Sequence, residues 1–377
     1  MLRLVFFLFF AFNANAESVS CLQQHCVGVV DVGSTGSRIH IYAYDLDKNK
    51  TPIKINEVWS NKIKPGFATI DASQSAVNTY LNNLFANNPL PNIPVYFYAT
   101  AGMRLHSQTK QQQYHQAVEL WFKQHPQFKL AEAQTITGDK EGLYGWLAAN
   151  YQLGTLTDKD KPLVGVMDMG GASVQIVFPV KDKASVAASK DLTEVTIYGR
   201  HISLFAHSFL GLGQNVLSQQ FLDTESCFAD GYKLPDGSKA EGNALTCQTE
   251  VSKLVNTVHG ASTTVQPAIA ANPVHTWYAI GGITSLVAGQ PFHFDNHQFT
   301  NQALLNQAES EICQKQWPQL QTLIPANEYL YGYCLYSSYY YALIVNGYGI
   351  NPDQPINYFP NNDHTDWTLG VVLLRKE

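Results

Sequence analysis

Two turns rich in glycine and hydroxyl side chains each follow an aspartate at the end of an apolar strand. Residues 31–38 read Asp-Val-Gly-Ser-Thr-Gly-Ser-Arg, and residues 168–175 read Asp-Met-Gly-Gly-Ala-Ser-Val-Gln. A turn of this kind presents backbone N–H groups and hydroxyls to one point, as the oxygens of a phosphate group require. A single such turn is weak evidence, since most are ordinary hairpin connections. Two equivalent turns predict that one polyphosphate is held from both sides.

The aspartates that begin these turns could face a bridging cation. Asp31 and Asp168 offer carboxylate oxygens, and the hard cations Mg²⁺ and Ca²⁺ prefer oxygen ligands and retained waters. The alternative is that each aspartate caps its own turn through hydrogen bonds to the backbone. Because the two aspartates occupy equivalent positions, we favour the cation site.

That equivalence comes from an internal repeat. Residues 27–39 and 164–176 are offset by 137 positions (164 − 27), and six of their thirteen positions are identical, including the aspartate and a following glycine. Chance similarity between two apolar strands would not also align these polar and small residues. We infer an internal duplication. Each copy predicts a β-hairpin, with an apolar strand, a glycine-rich turn and a second strand.

The elements around the hairpins predict alternating strands and helices. In the first half, helix-period apolar residues occur at 75–85 and 111–124, with a buried-strand pattern at 93–99 and a capped helix at 137–151. Residues 154–162 are typical of a crossing between domains. In the second half we predict helices at 206–221 and 246–258, a strand at 276–283 and a final apolar element at 366–374. The pattern indicates two α/β domains facing each other across a cleft.

The beginning of the chain has the features of a signal peptide. Arg3 is followed by the apolar run 4–12 and by small residues at 14–16, so we predict that residues 1–16 are removed. The run is too short to span a bilayer, and no other stretch approaches about eighteen apolar residues. We therefore expect a secreted or periplasmic protein without a membrane anchor. Its mature length, about 361 residues, predicts two domains.

Charge and cysteine usage narrow the class of protein. The net charge of −6 becomes −7 when Arg3 is removed, which argues against a surface that coats nucleic acid. The sequence has no C-x-x-C motif, and histidines do not cluster near the cysteines, so disulfides are favoured over metal binding. Six cysteines allow fifteen pairings, and proximity favours three local pairs: Cys21 with Cys26, Cys227 with Cys247, and Cys313 with Cys334.

Five motifs, in order over nearly the whole chain, resemble those of a known family. They are residues 31–38, 99–104 (Ala-Thr-Ala-Gly-Met-Arg), 138–151, 168–176 and 366–370 (Asp-Trp-Thr-Leu-Gly). The family is that of the apyrases, or nucleoside triphosphate diphosphohydrolases, in the superfamily of actin, sugar kinases and heat-shock chaperones. The resemblance implies an α/β fold with two RNase H-like (actin-like) domains facing each other across an active-site cleft. We expect residues 17–162 plus about 353–377 in the first domain and 163–352 in the second.

The resemblance also implies roles for individual residues. Glu141 matches the family's general base, and a carboxylate beside a phosphate cleft can deprotonate water. The alternative is that Glu141 only caps the helix that it begins. Ser173 and Gln175 match positions that hold the attacking water. Arg104 and Arg38 would brace the cleft by pairing with carboxylates.

The remaining site residues form three groups. The phosphate-binding group is Gly33, Ser34, Thr35, Gly36, Ser37, Gly170, Gly171 and Ala172. Asp31, Asp168 and Thr100 would hold a divalent cation, largely through water, with Mg²⁺ or Ca²⁺ preferred and Mn²⁺ as a third candidate. The family binds the base within segments that here have Gly281-Gly282 in place of aromatic residues. The nucleobase candidates are Gly281, Gly282, Tyr329, Tyr331 and Tyr348.

These motifs favour one function and leave two alternatives. The favoured function is a secreted apyrase that converts nucleoside triphosphates to diphosphates and then to monophosphates. The alternatives are a diphosphatase with a narrow GDP or UDP preference and a nucleotide-regulated binding module of the chaperone type. The sequence has neither a Walker loop nor a G-x-S-x-G elbow, which argues against P-loop ATPases and serine hydrolases. We expect nucleoside tri- and diphosphates as partners, no nucleic acid, and a monomer.

Overall fold

The computed structural model describes residue 21 and residues 23–186, 189–324, 327–360 and 366–375. The predicted signal peptide at 1–16 lies outside the described residues. The first sheet has the strand order β3-β2-β1-β4-β5. Its strands are β1 (His25–Val32), β2 (Ser37–Leu46), β3 (Pro52–Ile63), β4 (Pro94–Ala99) and β5 (Lys129–Thr135).

The second sheet has the strand order β11-β12-β10-β6-β7-β9-β8. Its strands are β6 (Gly165–Met169), β7 (Ser173–Pro179), β8 (Leu192–Ile197), β9 (Arg200–Leu210), β10 (Trp277–Gly281), β11 (Gln298–Phe299) and β12 (Ile356–Tyr358). In both sheets an antiparallel hairpin is followed by parallel strands, because β1 pairs parallel with β4 and β6 pairs parallel with β10. The predicted α/β class is therefore confirmed.

Helices cover the sheets and connect their strands. They are α1 (Gln74–Leu84), α2 (Ala101–Arg104), α3 (Gln108–Gln124), α4 (Gly138–Gln152), α5 (Gln214–Ser218), α6 (Ala244–Lys253), α7 (Ala261–Ala271), α8 (Gly282–Val287), α9 (Asn301–Ala308), α10 (Trp317–Leu323), α11 (Tyr333–Tyr341) and α12 (Thr368–Leu373). Wider π turns extend α6, α9 and α11 at Leu254–Val258, Glu309–Cys313 and Ala342–Gly347. Within the described ranges, no helix combines the length and apolar character that crossing a membrane requires.

The two hairpins have the same register. Asp31 pairs with Arg38 across β1 and β2, and Asp168 pairs with Gln175 across β6 and β7. Because the aspartate and its partner are separated by the same number of residues in both hairpins, the two turns have the same length and position. The structure thus confirms the two equivalent hairpins that the repeat predicted.

Two helices near the ends of the halves pack on the opposite sheets. Helix α4, which ends the first half, lies against β7 and β9 of the second sheet. Helix α12 lies against α4 and against β1, β2 and β3 of the first sheet. Glycines allow these close approaches, since a Cβ on Gly142 would lie 3.0 Å from Gln175 Cβ and one on Gly370 would lie 2.1 Å from the Tyr144 carbonyl oxygen. The crossed helices join the halves into one buried core.

Two expectations need correction. Residues 206–210 belong to strand β9, which pairs with β7, and only the short helix α5 follows. Both faces of β9 are buried. Ala206 packs in the core that contains α4, and Phe205 and Phe209 pack in the core of the second half. A strand buried on both faces has a nearly continuous apolar run, so periodicity does not separate it from a helix. Strand β12 pairs with β10, so the chain leaves the second sheet after Tyr358 rather than at about 353.

The other predicted domain limits stay a prediction.

The predicted pairing of the cysteines is confirmed. Disulfides join Cys21 to Cys26, Cys227 to Cys247, and Cys313 to Cys334. The second and third disulfides lie in the buried core of the second half. Closing loops of 20 and 21 residues restricts the unfolded chain and so favours the folded state.

The packing of α12 on α4 predicts the effect of a single methyl group. We expect Gly370→Ala to lower the free energy of unfolding by at least about 1–3 kcal/mol, because the new Cβ would overlap the backbone of Tyr144. Chemical denaturation measures this loss. Gly28→Ala is the control, since its Cβ would lie 3.3 Å from Val95 Cγ2 and no nearer than 3.8 Å to any backbone atom of Pro94. An equal loss in both variants would contradict the account of the crossed helices.

Candidate active site

The two glycine-rich turns face each other across a cleft of about 620 Å³. A Cβ on Gly171 in the second turn would lie 2.6 Å from Ser34 Oγ and 3.3 Å from Thr35 Cγ2 in the first turn. The turns are therefore close enough to contact one phosphate group from opposite sides. The volume is within the range of small-molecule sites in proteins.

Neighbouring glycines support each turn from behind. A Cβ on Gly66 would lie 2.2 Å from the carbonyl oxygen of Ser34, and one on Gly102 would lie 3.0 Å from its Cα. Behind the second turn, a Cβ on Gly213 would lie 2.2 Å from the backbone nitrogen of Ala172. This close backbone packing holds both turns in place before any ligand binds, which favours electrostatic stabilisation of a phosphate.

The predicted general base lies beside the second turn. Glu141 is in the first turn of α4 and its side chain is buried. Arg104 Nη1 donates to Glu141 Oε2 at 2.9 Å, and Arg104 Nη2 donates to Ser173 Oγ at 2.9 Å. Burial raises the pKa of Glu141, while the charge and hydrogen bond of Arg104 oppose that increase. Arg104, expected to brace the cleft, thus connects the base to a residue of the other half.

Gln175 lies behind Ser173 rather than in the wall of the cleft. Its Nε2 donates to Ser173 Oγ at 2.7 Å and to Ser208 Oγ at 2.9 Å, and its side chain is buried. Ser173 lines the cleft together with Glu141. Gln175 and Arg104 therefore fix the position of the Ser173 hydroxyl from two directions.

Four carboxylates line the same cleft: Asp31, Glu141, Asp168 and Asp366. Burial, followed by the charge of Asp366, raises the pKa of Asp31 well above its ordinary value. Burial, followed by the charge of Glu141, raises the pKa of Asp168 to about 8. A shared cation would lower both pKa values, since it favours the charged form of each carboxylate.

The donor atoms fit a hydrated divalent cation. The buried Oδ1 of Asp31 has no hydrogen-bond partner in the described part of the chain, and such an atom is costly unless a ligand satisfies it. Across the described residues, no three His, Cys, Asp or Glu side chains are grouped tightly enough to ligate a metal directly. A cation such as Mg²⁺ that keeps several waters suits this arrangement. Thr100, the third predicted cation residue, also lines the cleft.

Asp366 was not among the predicted site residues. His40 Nε2 lies 3.4 Å from Asp366 Oδ2, and His40 Nδ1 lies 2.5 Å from Glu57 Oε2. Burial lowers the pKa of His40, but the two carboxylates overcome this and raise it to about 9. The pKa of Asp366 is lowered, because His40 and the Thr368 backbone outweigh the effect of its burial. The fifth motif contained Asp366, but no local signal linked it to His40.

Most predicted phosphate-binding residues line the cleft, and two do not. Those in its wall are Gly33, Ser34, Thr35, Gly170, Gly171 and Ala172. Gly36 and Ser37 lie outside the residues that form the wall. The Ser37 side chain is buried, and Tyr80 donates a hydrogen bond of 3.0 Å to its Oγ. The side chain of Ser37 is therefore occupied within the first half.

The nucleobase predictions divide in the same way. Gly281, Gly282 and Tyr329 line the cleft, and Tyr333 and Tyr336, which were not predicted, line it as well.

Two of the predicted tyrosines need correction. Tyr348 is buried in the core of the second half, with its ring 6.1 Å from that of Phe209, so it offers no face to a base. The Tyr331 ring stacks near Tyr232 at 6.3 Å and is absent from the cleft wall. The Tyr348 ring lies in the core and the half-buried Tyr331 ring packs against it, which composition alone does not reveal.

The mouth of the cleft carries a group of cations. Arg38, Lys62 and Lys64 line it, and Arg38 is the cross-strand partner of Lys62. Arg38 was expected to pair with a carboxylate, but it makes no ion pair with any residue that the structure describes. Burial and the neighbouring charges of Arg38 and Lys64 lower the pKa of Lys62. These cations offer positive charge to an anion in the cleft.

The raised pKa of Asp168 predicts a pH dependence of stability without cations. Between the ordinary Asp value of 3.8 and about 8, the folded protein keeps a proton that the unfolded chain has lost, so stability falls as the pH rises. We expect the Tm of the wild-type protein in EDTA to decline over this window and the Tm of Asp168→Asn to decline less. Thermal unfolding of both proteins from pH 4 to 9 measures the difference. Parallel curves would contradict the assigned pKa.

Solved structures share this fold. The chain is similar to the structure of nucleoside triphosphate hydrolases from Neospora caninum, with a TM-score of 0.57 and 16% identity over 96% of this chain and 94% of that one. It is also similar to the Aquifex aeolicus member of the Ppx/GppA family, with a TM-score of 0.55 and 15% identity over 93% and 96% of the two chains. At these identities the similarity shows the fold alone.

Sequence comparison identifies relatives that match most of the chain. The chain is 25% identical to human ectonucleoside triphosphate diphosphohydrolase 3, over 92% of this chain and 77% of that protein. It is 27% identical to Apyrase 1 of Arabidopsis thaliana, over 92% and 83% of the two proteins. A family model, that of the GDA1/CD39 (nucleoside phosphatase) family, matches residues 19–377. The chain therefore belongs to the GDA1/CD39 nucleoside phosphatase family.

Proposed function

We propose that this chain is an apyrase that hydrolyses nucleoside triphosphates to diphosphates and then to monophosphates. Family membership supports the class of reaction. The observation that carries the proposal is the Arg104 guanidinium, which connects the Glu141 carboxylate to the Ser173 hydroxyl beside the two facing turns. A base, a water-holding hydroxyl and a phosphate grip are then adjacent, as attack of water on a terminal phosphate requires.

The terminal phosphoryl group is held between the turns. Backbone N–H groups of both turns, with the hydroxyls of Ser34 and Thr35, face its oxygens. Arg38 and Lys62 extend this positive surface toward the mouth and meet the inner phosphates. Because loose phosphoryl-transfer transition states need mainly positioning and charge stabilisation, this grip supplies most of the catalysis.

Glu141 activates the attacking water. The water donates one hydrogen bond to the Glu141 carboxylate and is held by Ser173, which Arg104 and Gln175 keep in place. As the new P–O bond forms, a proton passes from the water to Glu141, and the bond to the bridging oxygen breaks in line. Burial brings the pKa of Glu141 closer to neutral pH, where a general base works best.

We assign a divalent cation, Mg²⁺ or Ca²⁺, to the cleft, with Mn²⁺ as a substitute. Asp31, Asp168 and Thr100 would hold it, largely through water. When bound, it neutralises charge that develops on the phosphate oxygens. The unpartnered Oδ1 of Asp31 and the raised pKa of Asp168 support this assignment.

The nucleoside lies at the outer end of the cleft. Gly281, Gly282 and Tyr329 line this end, and the half-exposed ring of Tyr329 could stack on a base. We further propose that the protein is secreted or periplasmic and acts as a monomer. The three disulfides support an oxidising compartment.

The base assignment predicts a large and specific loss of rate. We expect Glu141→Gln to lower kcat by about 10²–10⁴-fold while nucleotide binding is retained, because the variant cannot accept a proton. Phosphate release and nucleotide titration measure the two properties. Asp139→Asn is the matched control, since Asp139 lies in the same first turn of α4 but is exposed. A folded Glu141→Gln variant with nearly normal kcat would refute the assignment.

The choice between an apyrase and a diphosphatase rests on the substrates. We expect phosphate release from both ATP and ADP, because the turns bind a terminal phosphoryl group whatever follows it and the cations at the mouth bind inner phosphates. Parallel kinetics with ATP, ADP, GDP and UDP measure this. Activity confined to GDP or UDP would replace the proposal with a narrow diphosphatase.

A further inference from the structure

The beginning of α12 is held in the cleft by strand β2. His40 contacts the Asp366 carboxylate at 3.4 Å, and Tyr42, two residues along β2, shares a hydrogen bond of 2.7 Å with Thr368 Oγ1. The Thr368 N–H donates to Asp366 Oδ1 at 2.9 Å, so that helix, carboxylate and strand form one unit. Asp366 lines the cleft together with Asp31 of the first turn.

The internal repeat shows that His40 is unusual at its position. The residue equivalent to His40 in the second half is Val177 (40 + 137), and both face the crossed helix of their sheet. Val177 packs apolar atoms against α4, where a Cβ on Gly142 would lie 3.0 Å from its Cγ2. A buried apolar residue would therefore suffice for packing at this position. The first half instead carries a fully buried histidine.

Burying a histidine between two carboxylates costs free energy, because all three groups lose their contacts with water. Glu57 and Asp366 both contact the His40 ring, and desolvating such groups offsets much of their mutual attraction. Packing α12 on the sheet needs none of these charges. The part of this cluster that reaches the cleft is Asp366, whose charge is the largest charge effect on Asp31.

The two halves thus present carboxylates in corresponding places. Glu141, at the start of α4, exerts the largest charge effect on Asp168 and is held by Arg104. Asp366, just before α12, exerts the largest charge effect on Asp31 and is held by His40. The pairs differ in what holds them, since Arg104 also contacts the water-holding Ser173, whereas His40 contacts Glu57 outside the cleft wall. The first pair fits water activation, and the second fits binding of a cation.

We propose that Asp366 is a further residue of the divalent-cation site, acting beside Asp31, and that His40 is the positioning residue that holds it there. This inference rests on the cation assigned in the proposed function. Asp366 adds a third negative charge near the cation besides Asp31 and Asp168, and it accepts hydrogen bonds from waters that the cation retains. Neither residue contacts the transferred phosphoryl group.

Binding of Mn²⁺ to the full chain, without nucleotide, tests this inference. Electron paramagnetic resonance measures free Mn²⁺ in a titration of wild type, Asp366→Asn, His40→Gln and Tyr42→Phe. We expect Asp366→Asn to weaken Mn²⁺ binding by about 10–100-fold, as loss of an outer-shell partner does, and His40→Gln to weaken it by a smaller factor. Tyr42→Phe is the control, because it removes a contact to α12 but none to Asp366. Its Mn²⁺ affinity should match wild type even where its Tm falls.

The outcomes separate this inference from the proposed function. If Asp366→Asn and His40→Gln bind Mn²⁺ as wild type does and only their Tm falls, the cluster is structural and the inference is wrong. If Asp366→Asn does not fold, the Mn²⁺ affinity of His40→Gln decides: a weakened affinity supports the inference, and an unchanged affinity contradicts it. If wild type binds no Mn²⁺ yet still hydrolyses ATP in EDTA, the cation assignment itself fails. A weakened affinity in both variants, with Tyr42→Phe unchanged, supports the inference.

Discussion

The concentration of negative charge in one cleft is the constraint on which the rest of the structure depends. Asp31, Glu141, Asp168 and Asp366 converge there, and burial, followed by their mutual repulsion, raises the pKa of the two loop aspartates. Two of the four have permanent partners, Arg104 for Glu141 and His40 for Asp366. In the proposed function, the other two hold a divalent cation. On that proposal, a polyanionic substrate enters this site together with positive charge, so that substrate binding is coupled to the cation.

The crossed helices explain how four carboxylates from distant parts of the sequence meet. Each helix ends one half of the repeat and packs on the sheet of the other half, so the start of each helix reaches the opposite turn. The glycines at 142 and 370 allow this packing. Glu141 and Asp366 therefore enter the cleft from opposite sides. Movement of one half relative to the other would change both carboxylate positions together, which makes the crossed helices part of the active site.

Local patterns predicted the features that depend on local chemistry. The repeat predicted two hairpins in the same register, and the small and hydroxyl residues of their turns predicted the facing walls of the cleft. The failures involve tertiary contacts. Residues 206–210 of β9, which is buried on both faces, were predicted as part of a helix, and Tyr348 was a base candidate although its ring is in the core. The partnership of His40 with Asp366 joins residues 326 positions apart, which no local pattern encodes.

The central claim is that water attacks the terminal phosphorus while both turns hold that phosphoryl group. Hydrolysis of ATP in water enriched in oxygen-18 tests it most directly, because the attacked phosphorus acquires the solvent oxygen. We expect one labelled oxygen in each molecule of released phosphate and no label in the ADP, as mass spectrometry would show. Label in the ADP would mean attack on the inner phosphorus, and would contradict the position of the terminal phosphate between the turns.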